Sequence, residues 1–202
     1  HPIPRRQRQM CIRDRDMAMQ KLTRTAVDTF ARTDYAFDVS DGKTLQPFFR
    51  FSAPSITITP AATTTASQNF QASASLFSSN MVGEKIEFTD SAGTIVQISI
   101  TAFTDAQNVT GTLSAAIANT NARDTFKEQV FSTRKGFARS VTFHDQRLIF
   151  GGSRDLPNHL FMSKAGEFFN FDVGTGLDDE SIQVQIAENQ ISEIKSLASF
   201  RH

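Results

Sequence analysis

Residues 136–182 read GFARSVTFHDQRLIFGGSRDLPNHLFMSKAGEFFNFDVGTGLDDESI, and this stretch has the clearest succession of strand and turn signals. Four short runs rich in β-branched and aromatic residues, SVTF, RLIF, HLFMS and FFNF, are separated by polar turn signals. Short strands joined by tight turns predict a four-stranded antiparallel meander, which is the unit of a β-propeller blade. A further strand is predicted after it, where Ile182, Val184 and Ile186 alternate with polar residues.

The chain upstream of the blade predicts a small inserted β module over residues 48–118. Its clearest strand places the apolar residues Val96, Ile98 and Ile100 on one face, because side chains alternate along a strand. Turn signals recur about every ten residues, which is typical of a β-sandwich or barrel. The predicted class is therefore all-β, with a propeller-like blade segment and an inserted sandwich or barrel module.

The remaining segments complete the predicted organisation. Residues 16–47 are interpreted as a strand segment of the platform, with a turn at Ser40–Lys43. Residues 119–135 are polar without a clear pattern and are interpreted as a linker, and residues 136–202 as the blade segment, truncated at its C-terminal end. We expect residues 1–15, HPIPRRQRQMCIRDR, to be disordered and foreign to the fold, since they resemble a translated sequencing-adapter peptide. The whole is interpreted as a fragment of a longer chain.

Composition excludes several classes of protein. The 202 residues carry 21 basic and 21 acidic side chains, so net charge gives no argument for nucleic-acid binding. Residues 1–15 contribute five Arg and one Asp, which leaves 16 basic and 20 acidic residues in the rest of the chain. No run approaches the about 18 apolar residues of a membrane span. The single cysteine, Cys11, excludes an internal disulfide and a cysteine-based zinc site.

Two positions in the blade carry chemistry-bearing side chains. His144-Asp145 would suit an acid–base pair, but neighbours on a strand point to opposite faces, so we interpret the pair as part of a turn. Asp172, Asp178 and Asp179 lie near a glycine-rich turn and are candidate ligands of a hard cation. The EF-hand register is absent, so we interpret this segment as a solvated acidic loop. The sequence predicts no catalytic site, no metal and no cofactor.

The blade segment resembles the tail nozzle (tail tubular protein B-like) proteins of short-tailed bacteriophages. Their pattern runs G-x-P-x-x-V-x-F-H-x-x-R-L-x-F-G-G-T, then a proline, a serine and G-D-Y-x-N-F. The upstream segment LFSSNMVGEKIEF resembles their inserted β module, so the likeness covers roughly residues 45–200. Ala138 stands where the family often has proline, and Glu167-Phe168 replaces Asp-Tyr. The structural-motif residues that match are Phe143, His144, Arg147, Leu148, Phe150, Gly151, Gly152, Pro157, Ser163, Gly166, Asn170 and Phe171.

The resemblance implies a structural virion protein of the phage tail and no enzyme. Such a protein is made in the cytoplasm of the bacterial host and forms a homo-oligomeric ring, through which DNA passes during ejection. Its implied partners are copies of itself, other tail proteins, DNA in transit and the host cell surface. We expect Arg147 to hold either the turn at Asp145 or the acidic loop at Asp178 and Asp179.

Two other functions remain open from the residues. One is a carbohydrate- or receptor-binding β module of a virion or cell-surface protein, located in residues 45–118. The other is a propeller hydrolase that would use His144 and the acidic loop. The absence of tryptophan and the single tyrosine count against the first, because exposed aromatic platforms are what sugars stack on.

Overall fold

The computed structural model describes residues 17–174, 176–186 and 193–199, and these residues are all-β, as predicted. The only helical element among them is one 3-10 turn, Ser79–Met81, so the described part of the chain holds no helix of the kind that crosses a membrane. The strands, in chain order, are β1 Gln20–Ala26, β2 Thr29–Asp34, β3 Val39–Ser40, β4 Lys43–Thr44, β5 Phe48–Phe49, β6 Ile58–Pro60, β7 Gln68–Ala72, β8 Lys85–Thr89, β9 Ile95–Asp105, β10 Asn108–Leu113, β11 Lys127–Gln129, β12 Ser140–His144, β13 Arg147–Gly151, β14 His159–Met162 and β15 Ile182–Gln185.

The chain divides into two compact units. One unit consists of Val39–Thr44 and Phe48–Val130. The other consists of the residues up to Asp38, Leu45–Pro47 and the chain from Phe131 onward. We call the first the module unit and the second the blade unit, and each is described by itself.

The module unit is built on a seven-stranded antiparallel sheet. Its strand order is β5-β11-β8-β9-β10-β7-β6, and the two outer strands are not hydrogen-bonded to each other. The sheet is therefore open and is not the closed barrel that the sandwich-or-barrel prediction allowed. The short hairpin β3–β4 belongs to the same unit, and its turn at Asp41 and Gly42 lies where the sequence predicted one.

The predicted alternation in β9 is confirmed. Val96, Ile98 and Ile100 are at most 2% exposed and form the core of the module unit with neighbouring strands. Gln97, on the opposite face, is also buried. Its burial is tolerated because its side-chain amide donates a hydrogen bond to the Thr44 carbonyl and accepts one from the Thr44 N–H. Both faces of β9 are thus covered in its first half.

The segment that we interpreted as a linker, residues 119–135, belongs largely to the module sheet. Arg123 bridges Ile58 through its backbone, Phe126 is fully buried, and β11 pairs with both β5 and β8. The sequence interpretation missed β11 because its three residues are too few to show the alternation of a strand.

The blade unit contains the four-stranded antiparallel sheet that the sequence predicted, with one strand reassigned. Its order is β12-β13-β14-β15, so strands that follow one another in the chain are neighbours. The run FFNF, predicted as the fourth strand, is a loop, and β15 takes that place. Lys164 donates its backbone N–H to the carbonyl of Asn170 at 2.8 Å, which closes the intervening residues into a turn.

Two further segments belong to the blade unit. Residues 20–34 form the hairpin β1–β2, in agreement with the interpretation of residues 16–47 as a strand segment, but its apolar side chains Leu22 and Phe30 are exposed. Near the C-terminal end, Ile194 and Leu197 lie in a segment without regular secondary structure.

Candidate functional site

The guanidinium of Arg147 is the most highly connected group among the matched residues. It is 8% exposed, and it donates hydrogen bonds to the carbonyls of Ser163 at 2.6 Å, Glu180 at 2.5 Å and Asp178 at 2.5 Å. We call this set the arginine anchor. It ties β13 to the end of β14 and to the loop that precedes β15. Of the two roles expected for Arg147, its contacts are with the acidic loop, through backbone carbonyls and not through carboxylates.

Alternation along a strand would have placed Arg147 on a solvated face. It is buried instead because the cation finds carbonyl oxygens of three residues at hydrogen-bond distance. A buried charge is tolerated only where its donors are satisfied.

Ser163 extends the arginine anchor into the sheet. Its side chain is fully buried, and its Oγ accepts a hydrogen bond from the backbone N–H of Leu148 at 2.9 Å and donates one to the carbonyl of Lys164 at 3.0 Å. The backbone N–H of Ser163 donates in turn to the carbonyl of Leu148 at 2.8 Å. The serine hydroxyl thus takes the place of a ladder carbonyl where β14 ends.

Hydrogen bonds to backbone groups organise the acidic loop. Asp172 Oδ1 accepts from the N–H of Gly174 at 3.1 Å, and Glu180 Oε2 accepts from the N–H of Leu177 at 2.8 Å. Asp178 and Asp179 are exposed. Within residues 17–174, 176–186 and 193–199, no group of three or more His, Cys, Asp or Glu side chains is placed to hold a metal ion.

His144 and Asp145 do contact each other, contrary to our argument from strand alternation. His144 Nε2 lies 3.1 Å from Asp145 Oδ2, and His144 Nδ1 lies 2.9 Å from Ser199 Oγ. The contact forms because Asp145 has left the strand, with φ at 46° in the turn. The His144 and Asp145 side chains are 47% and 84% exposed, so water competes for these hydrogen bonds.

Gly151 and Gly152 are packing positions. A Cβ on Gly151 would lie 2.8 Å from Leu197 Cδ1 and 2.9 Å from Ile194 Cγ2, so only glycine admits the C-terminal segment here. Gly152 has φ at 61° and donates its N–H to the carbonyl of His159 at 2.8 Å. The carbonyl of Pro157 accepts from the N–H of Ile194 at 2.9 Å, which holds the same segment in place.

Gly166 and Asn170 shape the turn after β14. Gly166 donates its N–H to the carbonyl of Gln146 at 2.8 Å, which links this turn to the β12–β13 turn. Asn170 Nδ2 donates to Glu167 Oε2 at 2.8 Å, and this hydrogen bond, with a smaller contribution from Lys164, lowers the pKa of the Glu167 carboxyl.

Aromatic side chains form the core of the blade unit. Phe150, Phe161 and Phe171 are at most 3% exposed, and the rings of Phe150 and Phe171 are stacked at 5.2 Å between centroids. Leu148 is buried beside them at 5% exposure. Phe143 is 59% exposed and contacts the ring of Phe168 edge-on at 5.2 Å.

The sequence interpretation missed Tyr35 and His159. Tyr35 packs against Phe37, Phe150 and Phe169, and its hydroxyl donates to the carbonyl of Phe168 at 2.7 Å. Burial raises the pKa of Tyr35 above its usual value, and the nearby Asp38 carboxylate adds to the rise. Burial lowers the pKa of His159, whose ring is stacked on Phe161. Being the only tyrosine of the chain was the one signal that could have singled out Tyr35.

A groove of about 410 Å³ lies in the blade unit between β1 and β12. Its walls are mainly apolar and aromatic, with Leu22, Val141, Phe143 and Phe168 among them, and its charged lining residues are Lys21 and Arg139. His144, Asp145 and Ser199 are not among the lining residues. The groove and the histidine contacts are therefore separate features.

The matched residues are thus used to hold backbone segments together. A scan against protein-family models found no family that matches this chain, and a search of the curated proteins found no similar sequence. What the arrangement can do chemically follows from its contacts: the arginine anchor, the Ser163 hydroxyl and the two glycines rigidify the sheet and its loops.

Proposed function

We propose that this chain is a structural part of a bacteriophage tail nozzle, in a virion that ejects its DNA through the tail. The proposal starts from the resemblance of residues 136–182 to that family. It is supported by the way in which the matched side chains are used, because most of them make framework contacts. Only the apolar Phe143, Leu148 and Phe150 among them line the groove, and none of the matched polar or charged side chains does.

The observation that carries the proposal is the arginine anchor. Arg147, which stands at the arginine position of the family pattern, is buried and bonded to carbonyls of three residues from two other segments. A wall that must keep its shape while DNA passes needs loops fixed by such contacts. A catalytic arginine would instead present its donors to a substrate.

The charge of the chain is compatible with a channel. Without residues 1–15, the remaining sequence has 16 basic and 20 acidic residues. A surface with few clustered cations binds the phosphates of DNA weakly, so DNA that passes along it meets little resistance.

The test is negative-stain electron microscopy of the gene product that contains this sequence. We expect rings with a central hole, and the Arg147→Ala form should yield fewer rings at equal protein concentration. The matched control is Arg154→Ala, because Arg154 is exposed. A product that is homogeneous, folded and never annular would contradict the proposal, as would glycan binding by the module unit without any assembly.

A further inference from the structure

Strand β12 is an open edge of the blade sheet. Among the described residues it pairs only with β13. Its apolar side chains Val141 and Phe143 are 58% and 59% exposed, and the strand contains no lysine, arginine, aspartate or glutamate. Edge strands of monomeric proteins usually carry charges, prolines or bulges that prevent pairing with another chain. Within Ser140–His144 the strand has no such charge and no proline, and its register with β13 is unbroken.

The register of the hairpin shows which backbone groups face outward. His144 and Arg147 flank the turn Asp145-Gln146, and in such a turn the flanking pair is the hydrogen-bonded one. The N–H and C=O groups alternate along a strand, so those of Ser140, Thr142 and His144 face β13. Those of Val141 and Phe143 therefore face away from the sheet.

The contacts of β13 with β14 agree with this assignment. Ser163 donates its N–H to the carbonyl of Leu148 at 2.8 Å, and Gly152 donates its N–H to the carbonyl of His159 at 2.8 Å. The backbone groups of Leu148 and Gly152 thus face β14. Those of Arg147, Ile149 and Gly151, the partners of β12 in the register, face β12.

We propose that two copies of this chain associate through antiparallel pairing of their β12 edges about a two-fold axis at Thr142. Val141 then lies opposite Phe143 of the second copy, and each such pair exchanges both of its outward backbone hydrogen bonds. Cross-strand pairs of an aromatic and a β-branched residue, and of two threonines, stabilise antiparallel sheets. The groove beside Val141 and Phe143 leaves space for the incoming side chains.

Charge complementarity supports the same register. It places Arg139, just before the strand, opposite Asp145 of the second copy, just after it. The Asp145 side chain is 84% exposed, so it is accessible to a second chain. Arg139 also pairs with Glu193 of its own chain, and its side chain is 20% exposed. Both ends of the paired strands would thus join a cation to an anion.

The other open edge of the sheet, β15, is a poorer partner for β12. Leu160 pairs with Val184, and Ile186 donates its N–H to the carbonyl of Asn158 at 2.9 Å, so the even-numbered residues of β15 face β14. The outward groups are those of Gln183 and Gln185. Pairing with β12 would put these glutamines opposite Val141 and Phe143, whereas self-pairing joins apolar residues to each other.

This inference stands apart from the proposed function. Neighbours in a cyclic ring make head-to-tail contacts, so a two-fold contact describes the free chain before it enters a ring. Covering the edge in this way would also protect the free chain from open-ended association.

The first experiment is sedimentation equilibrium of the full chain and two matched proline variants. Val141→Pro removes an outward N–H and leaves the β13 ladder intact, and Gln183→Pro does the same on β15. We expect a dimer for the parent chain and for Gln183→Pro, and at least about a tenfold rise in the dissociation constant for Val141→Pro. Circular dichroism checks folding, and if Val141→Pro is unfolded, Phe143→Lys at the same exposed edge replaces it.

The second experiment tests the register by cross-linking. In a Cys11→Ser background, Thr142→Cys places two thiols across the two-fold axis, where Cα atoms lie about 4.5 Å apart. This separation is within the range that a disulfide accepts. We expect a disulfide-linked dimer under mild oxidation for Thr142→Cys and not for the control Gln183→Cys.

The outcomes are distinguishable. A parent chain that stays monomeric, a dimer that Gln183→Pro disrupts, or a Thr142→Cys chain that does not cross-link would each overturn the proposal. None of these results bears on ring formation by the gene product, so the proposed function is tested separately.

Discussion

At the scale of single residues, the blade unit depends on a buried cation that donates hydrogen bonds to the backbone carbonyls of three residues. Arg147 sits on a strand where alternation predicts an exposed side chain, yet it is 8% exposed. Its position is explained by the loop carbonyls of Asp178 and Glu180, which no local pattern in the sequence brings beside β13. A residue of this kind stabilises one arrangement of loops strongly and others not at all.

We expect Arg147→Ala to lower the free energy of unfolding by about 2–4 kcal/mol, because buried carbonyls lose a charged donor. Arg147→Lys should recover only part of this loss, since an ammonium cannot reproduce the planar fork. Urea unfolding measures both values, with Arg154→Ala as the exposed control. Equal stability of the parent and Arg147→Ala would show that the arginine anchor contributes nothing.

Acid should destabilise the module unit through Asp90. Its carboxylate accepts backbone N–H bonds from Thr94 and Ala92 at 2.9 Å, and the bond from Thr94 is the main reason why the pKa of Asp90 lies below its usual 3.8. A lowered pKa stabilises the fold above the unfolded value, and this contribution is lost as the pH falls through the folded value. Asp90→Asn should therefore flatten the dependence of melting temperature on pH below about 4, whereas Asp28→Asn, in an exposed turn, should not. An unchanged slope in Asp90→Asn would contradict this role.

At the scale of elements, the β12–β13 hairpin closes with an unusual pair of turn residues. Asp145 and Gln146 have φ at 46° and 60°, which is the type I′ conformation that favours Asn or Asp followed by Gly. The first position fits this preference and the second does not. The register of β12 against β13 follows from this turn, since it sets which backbone groups of β12 face β13.

Gln146→Gly should stabilise the chain by up to about 1 kcal/mol, because glycine adopts a positive φ without steric cost. The substitution keeps the backbone carbonyl of residue 146, which accepts a hydrogen bond from the N–H of Gly166. Thermal melting compares it with Gln146→Ala, which should give no gain. Destabilisation by Gln146→Gly would mean that the glutamine side chain makes a contribution that its backbone geometry does not explain.

The hairpin β1–β2 is the element that we expect to open most easily. All seven residues of β1 are exposed, and β2 is exposed except for a half-buried Ala31. Two-stranded hairpins are marginal without a covered face. Hydrogen exchange should show its amides exchanging faster than those of β9, by orders of magnitude. Equal protection of the two would indicate that something covers the hairpin in solution.

At the scale of the whole molecule, the two units differ in how completely they bury apolar side chains. The module unit has a closed core, whereas the blade unit carries most of the exposed large apolar residues. In the blade unit these are Met17, Leu22, Val27, Phe30, Val141, Phe143, Phe168, Val173, Leu177, Ile182, Val184 and Ile186. Exposed apolar surface on this scale is typical of proteins that associate with others.

This difference predicts where shortening a side chain lowers the free energy of unfolding. Ile98→Ala, in the core of the module unit, should cost about 2–5 kcal/mol, because it leaves a cavity among packed neighbours. Val141→Ala, at the exposed edge, should change stability by no more than about 0.5 kcal/mol. Urea unfolding of the two variants at protein concentrations at which the chain is monomeric measures both values. A large loss for Val141→Ala under these conditions would show that this edge is covered within a single chain.

Local patterns were enough to predict the all-β class, the alternation in β9, a turn at Asp145 and most of the strands, because periodicity and turn chemistry act between near neighbours. Four features became visible only in the folded chain: β15 replaces FFNF, β11 completes the module sheet, His144 contacts Asp145, and the side chain of Arg147 is buried. Each of these depends on contacts between residues distant in sequence or on a backbone angle at a strand end, and neither leaves a local pattern.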